Sequence, residues 1–263
     1  MMNEPLARSL TSARRIVVFS GAGISTDSGI PDYRGTGGQY ERYRPVYFQE
    51  FLANEEKRME YWTHKAAVWP AMRDAEPGPA HWLVRALFDS DRLHGVITQN
   101  IDGLHERSGI PSDRIVNLHG SNLEVECLGC RRRTDARSTL DPLAALPCDA
   151  QGHPAVGRDD IPHCSECGGL LKPATVMFGQ NLRVEDLERA QAMLVDCDVL
   201  LAIGSTLTVQ PAASIPVVAR NNGAHLAIVT RGETPLDDLA DFRIDGAIAD
   251  FANEMIAVIE SEG

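Results

Sequence analysis

The sequence predicts an α/β fold, an open parallel sheet with helices on both faces. Three observations predict it. Short apolar runs, rich in β-branched residues, recur at Ile16–Phe19, Gly95–Thr98, Asp198–Ile203 and Leu226–Val229 and read as strands buried on both faces. Stretches with apolar residues three and four apart alternate with these runs. Glycine-rich or polar turns follow the strands at Gly21, Gln99 and Gly204. Ligands of open parallel sheets bind in that place, beyond the carboxyl ends of the strands.

Composition sets the bounds. The chain has 263 residues, 43% of them hydrophobic, and a formal net charge of −12. That length allows one large domain, or one with a smaller domain inserted. No apolar run approaches the ~20 residues of a membrane span, so no membrane partner is expected. The negative charge disfavours direct nucleic-acid binding, where phosphate contacts dominate affinity. It suits a basic protein partner, or solubility alone. The N-terminal stretch has no apolar core for secretion, and Glu4 speaks against a transit peptide. It reads as a short helix opening a cytoplasmic protein.

The first strand runs into Gly21-Ala22-Gly23 and then Ser25, Thr26 and Asp27. Small residues followed by a helix start can hold a phosphate on free N–H groups. The usual dinucleotide fingerprint has a third glycine where Thr26 stands, and Gly-Ala-Gly alone is equally a plain strand-to-helix turn. The cluster Asp32-Tyr33-Arg34 just beyond it favours a nucleotide site. Gly37-Gly38 reads as a mobile loop. From Glu55 to Trp69, Met59, Trp62, Ala66 and Trp69 share one helical face and read as core. After the break at Pro77-Gly78-Pro79, a helix over 80–88 should turn Trp82, Leu83, Ala86 and Leu87 inward.

Gln99, Asn100 and Asp102 follow the second strand, and His119-Gly120 follows a third over 114–118. These polar residues suit a ligand edge, although Asn and Asp also form turns and caps. Cys127 and Cys130 form one CxxC pair and Cys164 and Cys167 another. Two such pairs make a tetrahedral thiolate set for Zn²⁺, with no open position for chemistry. The gap exceeds the roughly 15–20 residues common between such pairs, so the segment 134–162 reads as a loop-like insertion. Arg131, Arg132, Arg133 and Lys172 would offset the cluster's charge. Cys148 is an alternative ligand, and Cys197 reads as core. Around Val176 and Phe178 the alternation suits an extended edge that pairs with a peptide by strand addition. Helices are expected over 184–196, from Pro211 to near Gly223, and from Phe251 to Ile259.

These motifs resemble the sirtuins, the silent information regulator family of NAD-dependent protein deacylases. The hallmarks are GAGIS with GIPD and the Tyr33-Arg34 pair, TQNIDGLH, the later His119-Gly120, the paired cysteines, and the Val176–Gly179 pattern, spread over Ile16 to Ile259. The resemblance implies a Rossmann-like NAD-binding domain (1–35, 76–120 and 177–263) and a smaller domain. The smaller domain comprises a helical insertion with a cofactor loop (36–75) and a zinc-binding module (121–176). It also implies NAD⁺ as co-substrate, one structural Zn²⁺, and acylated lysines of proteins as substrates; a monomer is expected.

Residue by residue, the implied cofactor contacts are Gly21, Ala22, Gly23, Asp27, Asp32, Tyr33, Arg34, Gln99, Asn100, Asp102, His119, Gly204, Ser205, Thr206, Thr230 and Ile248. Asn100 and Asp102 are also implied in catalysis, holding the ribose and a water. Val176, Phe178, Gly179, Tyr61 and His64 are implied at the substrate. In the implied reaction, the acyl oxygen attacks the ribose carbon as nicotinamide leaves. His119 takes a proton from a ribose hydroxyl, and water frees lysine and O-acyl-ADP-ribose. Mono-ADP-ribosyl transfer, NAD hydrolysis or a weakly active regulatory module are the rival readings. Gln180 stands where the family has an acid, and Thr230 where it commonly has Asn. Tyr33, the YWTHKAAVWP run, PAHW, the long insertion and Asp237-Asp238-Leu239 resemble the class II branch. The Tyr-x-x-Arg pair that selects acidic acyl chains in class III falls on Tyr61 and His64, so with no Arg the resemblance does not imply such selection.

Overall fold

The computed structural model describes residues 4–32 and 43–261; Tyr33 and Arg34 lie outside the described residues. Six strands form the larger sheet: β1 (Ile16–Ser20), β2 (Leu93–Thr98), β3 (Ile115–Asn117), β7 (Val199–Ile203), β8 (His225–Val229) and β9 (Phe242–Ile244). Their order is β3-β2-β1-β7-β8-β9, and each neighbouring pair is parallel. The order reverses between β1 and β7, which is where doubly wound sheets open a ligand crevice.

Alternation along the strands feeds two cores. Ile16, Val18, Val199, Leu201, Ala227 and Val229 face one side. They pack there against α1 (Glu4–Ser12), α4 (Pro79–Asp89) and α9 (Ile248–Ser261). Val17, Phe19, Leu200, Ala202, Leu226 and Ile228 face the other side, against α7 (Val184–Met193) and α8 (Ile215–Asn221). A period of two in unbroken apolar runs is what a parallel sheet covered on both faces requires.

The smaller sheet is antiparallel, with β4 (Gly120–Cys127) between β5 (Arg133–Asp135) and β6 (Leu171–Thr175). It shares a third core with α2 (Phe48–Ala53), α3 (Glu55–Asp74) and α6 (Arg137–Ala144), built around Phe51, Trp62, Trp69, Val125 and Leu140. Asn54 starts α3 by accepting the N–H groups of Glu56 (2.8 Å) and Lys57 (3.3 Å), and Glu55 and Glu56 favour the positive end of the helix dipole. Trp62, Ala66 and Trp69 are buried as expected, with Met59 packed against them. No helix of the described residues is long and apolar enough to cross a membrane.

Several expectations need correction. Trp82 is 48% exposed. The buried face of α4 is Ala80, Leu83, Val84 and Leu87, spaced three, four and seven apart, and that spacing puts Trp82 on the outer side. The segment 134–162 is not a plain loop, since α6 lies in it and Leu140 and Leu143 reach the third core. A 3₁₀ turn, Ala212–Ser214, precedes α8 where one helix was expected from Pro211. Ile248 opens α9 and does not precede it. The extended edge stops at Thr175. Phe178 and Gly179 form a turn, closed by Gln180 N–H on Met177 O (3.0 Å) and by Met177 N–H on Gln180 Oε1 (2.9 Å).

Candidate active site

Two loops meet backbone to backbone at the switch point. Gly21 N–H donates to Ile203 O (3.1 Å) and Gly23 N–H to Gly204 O (2.8 Å). A Cβ on Gly21 would lie 2.8 Å from Gly204 O, and one on Gly23 2.8 Å from Gly204 Cα. Gly204 has φ +67°, and its Cβ would lie 2.3 Å from Ile24 N. The space left by these glycines is therefore filled by the partner loop, where the sequence suggested a ligand. The residues after them form a 3₁₀ helix, Ala22–Ser28. Its Ala22, Gly23, Thr26 and Asp27, and the preceding Gly21, line one cavity of about 1320 Å³.

That cavity runs from the switch point to α3. Asp32, Gln99, Asn100, Gly204, Ser205, Thr206, Thr230 and Ile248 line it beyond the sheet. Val176, Phe178, Gly179, Tyr61 and His64 line it on the side of the smaller sheet, and His119 lies between. Gln99 Nε2 donates to Ser205 Oγ (2.8 Å), which ties the β2 loop to the β7 loop across β1.

Asp102 does not line the cavity, which corrects its expected place at the ribose. It is buried, accepting from Ser25 Oγ on Oδ2 (2.8 Å) and from Leu104 N–H on Oδ1 (3.0 Å). Ser25 Oγ in turn accepts from Asn100 Nδ2 (3.0 Å). Burial raises the Asp102 pKa, against the lowering by these hydrogen bonds. Asp102 thus fixes Ser25 and, through it, Asn100 at the wall.

His119 ends the turn between β3 and β4. Its Nδ1 lies 2.9 Å from Gln99 O. A carbonyl only accepts, so Nδ1 carries the proton and Nε2 keeps a free lone pair. Burial lowers the His119 pKa, although the bond to Gln99 O raises it, so the ring is neutral at pH 7. The next residue must be glycine. Gly120 has φ +76°, and a Cβ there would sit 2.0 Å from Ala174 O. His119 O accepts Val176 N–H (2.8 Å), which joins the histidine to the end of β6.

The sequence missed Lys65, Tyr43, Met177 and Asn181 in the lining. Lys65 stands four residues after Tyr61 and shares its helical face, so the spacing alone would have found it.

The four cysteines Cys127, Cys130, Cys164 and Cys167 form one cluster with all sulfurs within 4.8 Å of one another. The Cys127–Cys167 and Cys130–Cys164 pairs are 3.5 and 3.7 Å apart. Zn–S bonds of about 2.3 Å at a tetrahedral centre need sulfurs about 3.8 Å apart. The N–H groups of Cys130 and Gly129 point at Cys127 Sγ and hold that thiol down, to about 6. The cluster fits one structural zinc. All six cysteines are free thiols. Cys148 bridges to Pro154 outside the cluster, and Cys197 is buried in the second core. The flanking cations serve other charges than expected. Arg131 pairs with Glu126 (2.8 Å), Arg132 with Glu166, and Arg133 with Glu124 (3.0 Å).

Comparisons with known proteins agree with this geometry. The model of the Sir2 family matches residues 21–211. The NAD-dependent protein deacetylase 1 of Bradyrhizobium diazoefficiens is 38% identical over 92% of this chain and 90% of its own. The NAD-dependent protein deacetylase of Thermodesulfovibrio yellowstonii is 36% identical over 94% and 91%. A Sir2 structure with a deacetylated p53 peptide and 3'-O-acetyl ADP ribose superposes with a TM-score of 0.84 at 31% identity, covering 100% of this chain and 99% of that one. A Sir2 homolog–NAD complex gives 0.81 at 30% identity, covering 100% and 95%. With more than half of its length matched by the family model, and relatives this similar along nearly all of it, the chain belongs to the Sir2 family.

Proposed function

We propose that this chain is an NAD-dependent protein-lysine deacylase that transfers the acyl group to ADP-ribose and releases nicotinamide. The observation that carries the reading is His119. Its proton is held on Nδ1 by Gln99 O, and its ring lies on the wall of a cavity shared by both sheets. NAD⁺ supplies an electrophilic ribose carbon there when nicotinamide departs. The chain's own residues do the rest. The switch-point loops, with Ser205 and Thr206, hold the dinucleotide, and Thr230 and Ile248 hold its adenosine end. Asp32, on the cavity wall, faces the dinucleotide. Gln99 and Asn100 orient the nicotinamide ribose, with Asp102 positioning Asn100 through Ser25. His119 Nε2 takes the ribose hydroxyl proton. A neutral imidazole at pH 7 suits that step.

The acylated lysine enters beside Val176, Phe178 and Gly179, and its acyl group lies toward Tyr61 and His64. In this reading the nucleotide domain is 1–35, 76–120 and 177–263, and the zinc module (121–176) with the insertion (36–75) forms the other wall. Free thiols at all six cysteines suit a reducing cytoplasm.

The test follows lysine peptides bearing different acyl groups, with nicotinamide and O-acyl-ADP-ribose measured by mass spectrometry. His119→Ala should lower turnover by about 10²–10⁴-fold while NAD⁺ still binds. Normal turnover by that variant sinks the assignment. Labelled protein or free ADP-ribose in place of O-acyl-ADP-ribose would favour ADP-ribosyl transfer or NAD hydrolysis.

A further inference from the structure

We propose that the inner end of this cavity selects an acyl chain that ends in a carboxylate, with Lys65 as its counter-charge. The proposal rests on the deacylase reading above and names the substrate class of the same site. It departs from what Tyr61 and His64 imply by resemblance, because the cation stands one residue further along the helix.

Four residues of α3 line the cavity, Glu60 and then Tyr61, His64 and Lys65 at positions i, i+3 and i+4. The Lys65 ammonium has weak company. Asn122 Oδ1, a neutral acceptor, lies 3.3 Å from Nζ, and the Tyr61 ring centroid lies 5.5 Å away. Among the described residues no carboxylate lies within 4 Å of it. Glu60, the cavity-lining carboxylate on the same helix, is taken by Lys57 at 2.5 Å.

The surroundings add positive charge. Lys172 is buried, with its ammonium on Pro173 O (2.9 Å) and Thr175 O (2.5 Å). Desolvation and, after it, repulsion by Lys172 lower the Lys65 pKa to about 8, so Lys65 remains mostly charged at pH 7. The nearest acid to Lys172 is Glu126, already shared by Arg131, Arg133 and Arg183. His64 adds a buried Nε2 that has no hydrogen-bond partner among the described residues. Tyr43 stacks over that ring at 4.1 Å between centroids, and His153 of the insertion stacks on Tyr43 at 5.2 Å.

A half-buried cation with no counter-ion within reach gains from a ligand that supplies one. A ligand carboxylate at this end would supply it and would complete the Lys65 and His64 hydrogen bonds. An alkyl acyl tip of the same length would leave both unmet, and unmet polar groups discriminate strongly between ligands.

The experiment compares one peptide carrying succinyl- or glutaryl-lysine with the same peptide carrying butyryl- or pentanoyl-lysine, which match in length and lack the carboxylate. Acetyl-lysine serves as the common reference. The intact chain should favour the acidic member of a pair at least tenfold in kcat/KM. In Lys65→Met that ratio should fall at least tenfold, and in Lys65→Arg it should stay within about threefold. Each ratio is read within one variant, so partial loss of folded enzyme cancels. Fluorescence anisotropy of a labelled glutaryl peptide, without NAD⁺, should show at least tenfold weaker binding to Lys65→Met. An acidic-to-alkyl ratio of one or less in the intact chain overturns the proposal, as does a ratio that Lys65→Met leaves in place. Turnover of acetyl-lysine in either case keeps the deacylase reading. No turnover of any peptide overturns that reading and this one with it.

Discussion

In the six-stranded sheet, β1 buries all five of its residues, whereas in the three-stranded sheet β5 exposes all three of its own. The first sheet is sealed on both faces by helices and depends on area. The second is held by a few specific groups: four thiolates, the Trp69–Asp141 bond, and Glu126 with its three arginines. Glu126 also reaches across, because Arg183 lies at the start of α7 on the larger sheet. The half that shapes the nucleotide floor in the proposed function is therefore stiff by bulk, and the half proposed to shape the acyl wall can be broken at single points.

Removing the metal should separate the two most. Cys127 is fully buried and receives two backbone N–H groups, so Cys127→Ser removes a ligand the module cannot replace. Structural zinc in small modules is worth on the order of 10 kcal/mol. Hydrogen exchange should show β4 and β6 losing protection while β1 and β7 keep theirs, with deacylation lost. Protection that falls equally in both sheets would mean that the halves are one cooperative unit.

Acid should attack the larger half instead. Behind the ligand edge, Ser20 Oγ bonds Thr98 Oγ1 (2.8 Å) and lies 2.9 Å from His105 Nε2. The His105 ring meets that of His81 at 5.1 Å. Both histidines are buried. Burial lowers His81 to about 4, and burial with the neighbouring His81 puts His105 well below its ordinary value. The unfolded chain protonates near ~6.5, so below that pH it binds protons that the folded chain refuses. Stability therefore falls as pH drops from about 6.5 toward about 4. His81 alone accounts for about 2 kcal/mol between pH 7 and pH 5. Asp102, with its raised value, acts in the opposite sense. Urea midpoints measured at both pH values check this, and equal midpoints would mean that these rings titrate as if in water.

The same contrast decides what the sequence could reveal. Strands sealed on both faces must be apolar throughout, so β1, β2, β7 and β8 stand out as runs. β5 is exposed and β9 is three half-buried residues, so neither carries a pattern. The four cysteines are legible because a thiolate metal site demands that residue type at that spacing, whereas His119 stands out only through the resemblance of the motifs around it. The helical spacing from Tyr61 marks Lys65 as a wall residue, but not its lack of a counter-ion, because a lysine on a helix is ordinarily solvated. For Asp102 and the switch-point glycines, the sequence shows the loops but not the contacts within the protein. Their partners are Ser25 and the Gly204 loop, far away in the chain.

The smallest effect tests whether the weaker half yields locally. Trp69 is 2% exposed, and its Nε1–H donates to Asp141 Oδ1 at 2.7 Å, tying α3 to α6. Trp69→Phe removes that donor and part of the ring, while Arg73 still occupies Asp141 at 3.0 Å. The acceptor is therefore not orphaned, and the loss is packing plus one hydrogen bond, about 1–2 kcal/mol. Thermal melting should shift down by a few degrees. Hydrogen exchange should quicken in α3 and α6 and leave β1 and β7 unchanged. Because Tyr61, His64 and Lys65 ride on α3, the variant should also blur acyl preference before it weakens NAD⁺ binding. A loss of NAD⁺ affinity equal to the loss of acyl preference would show that the acyl wall and the nucleotide floor move together.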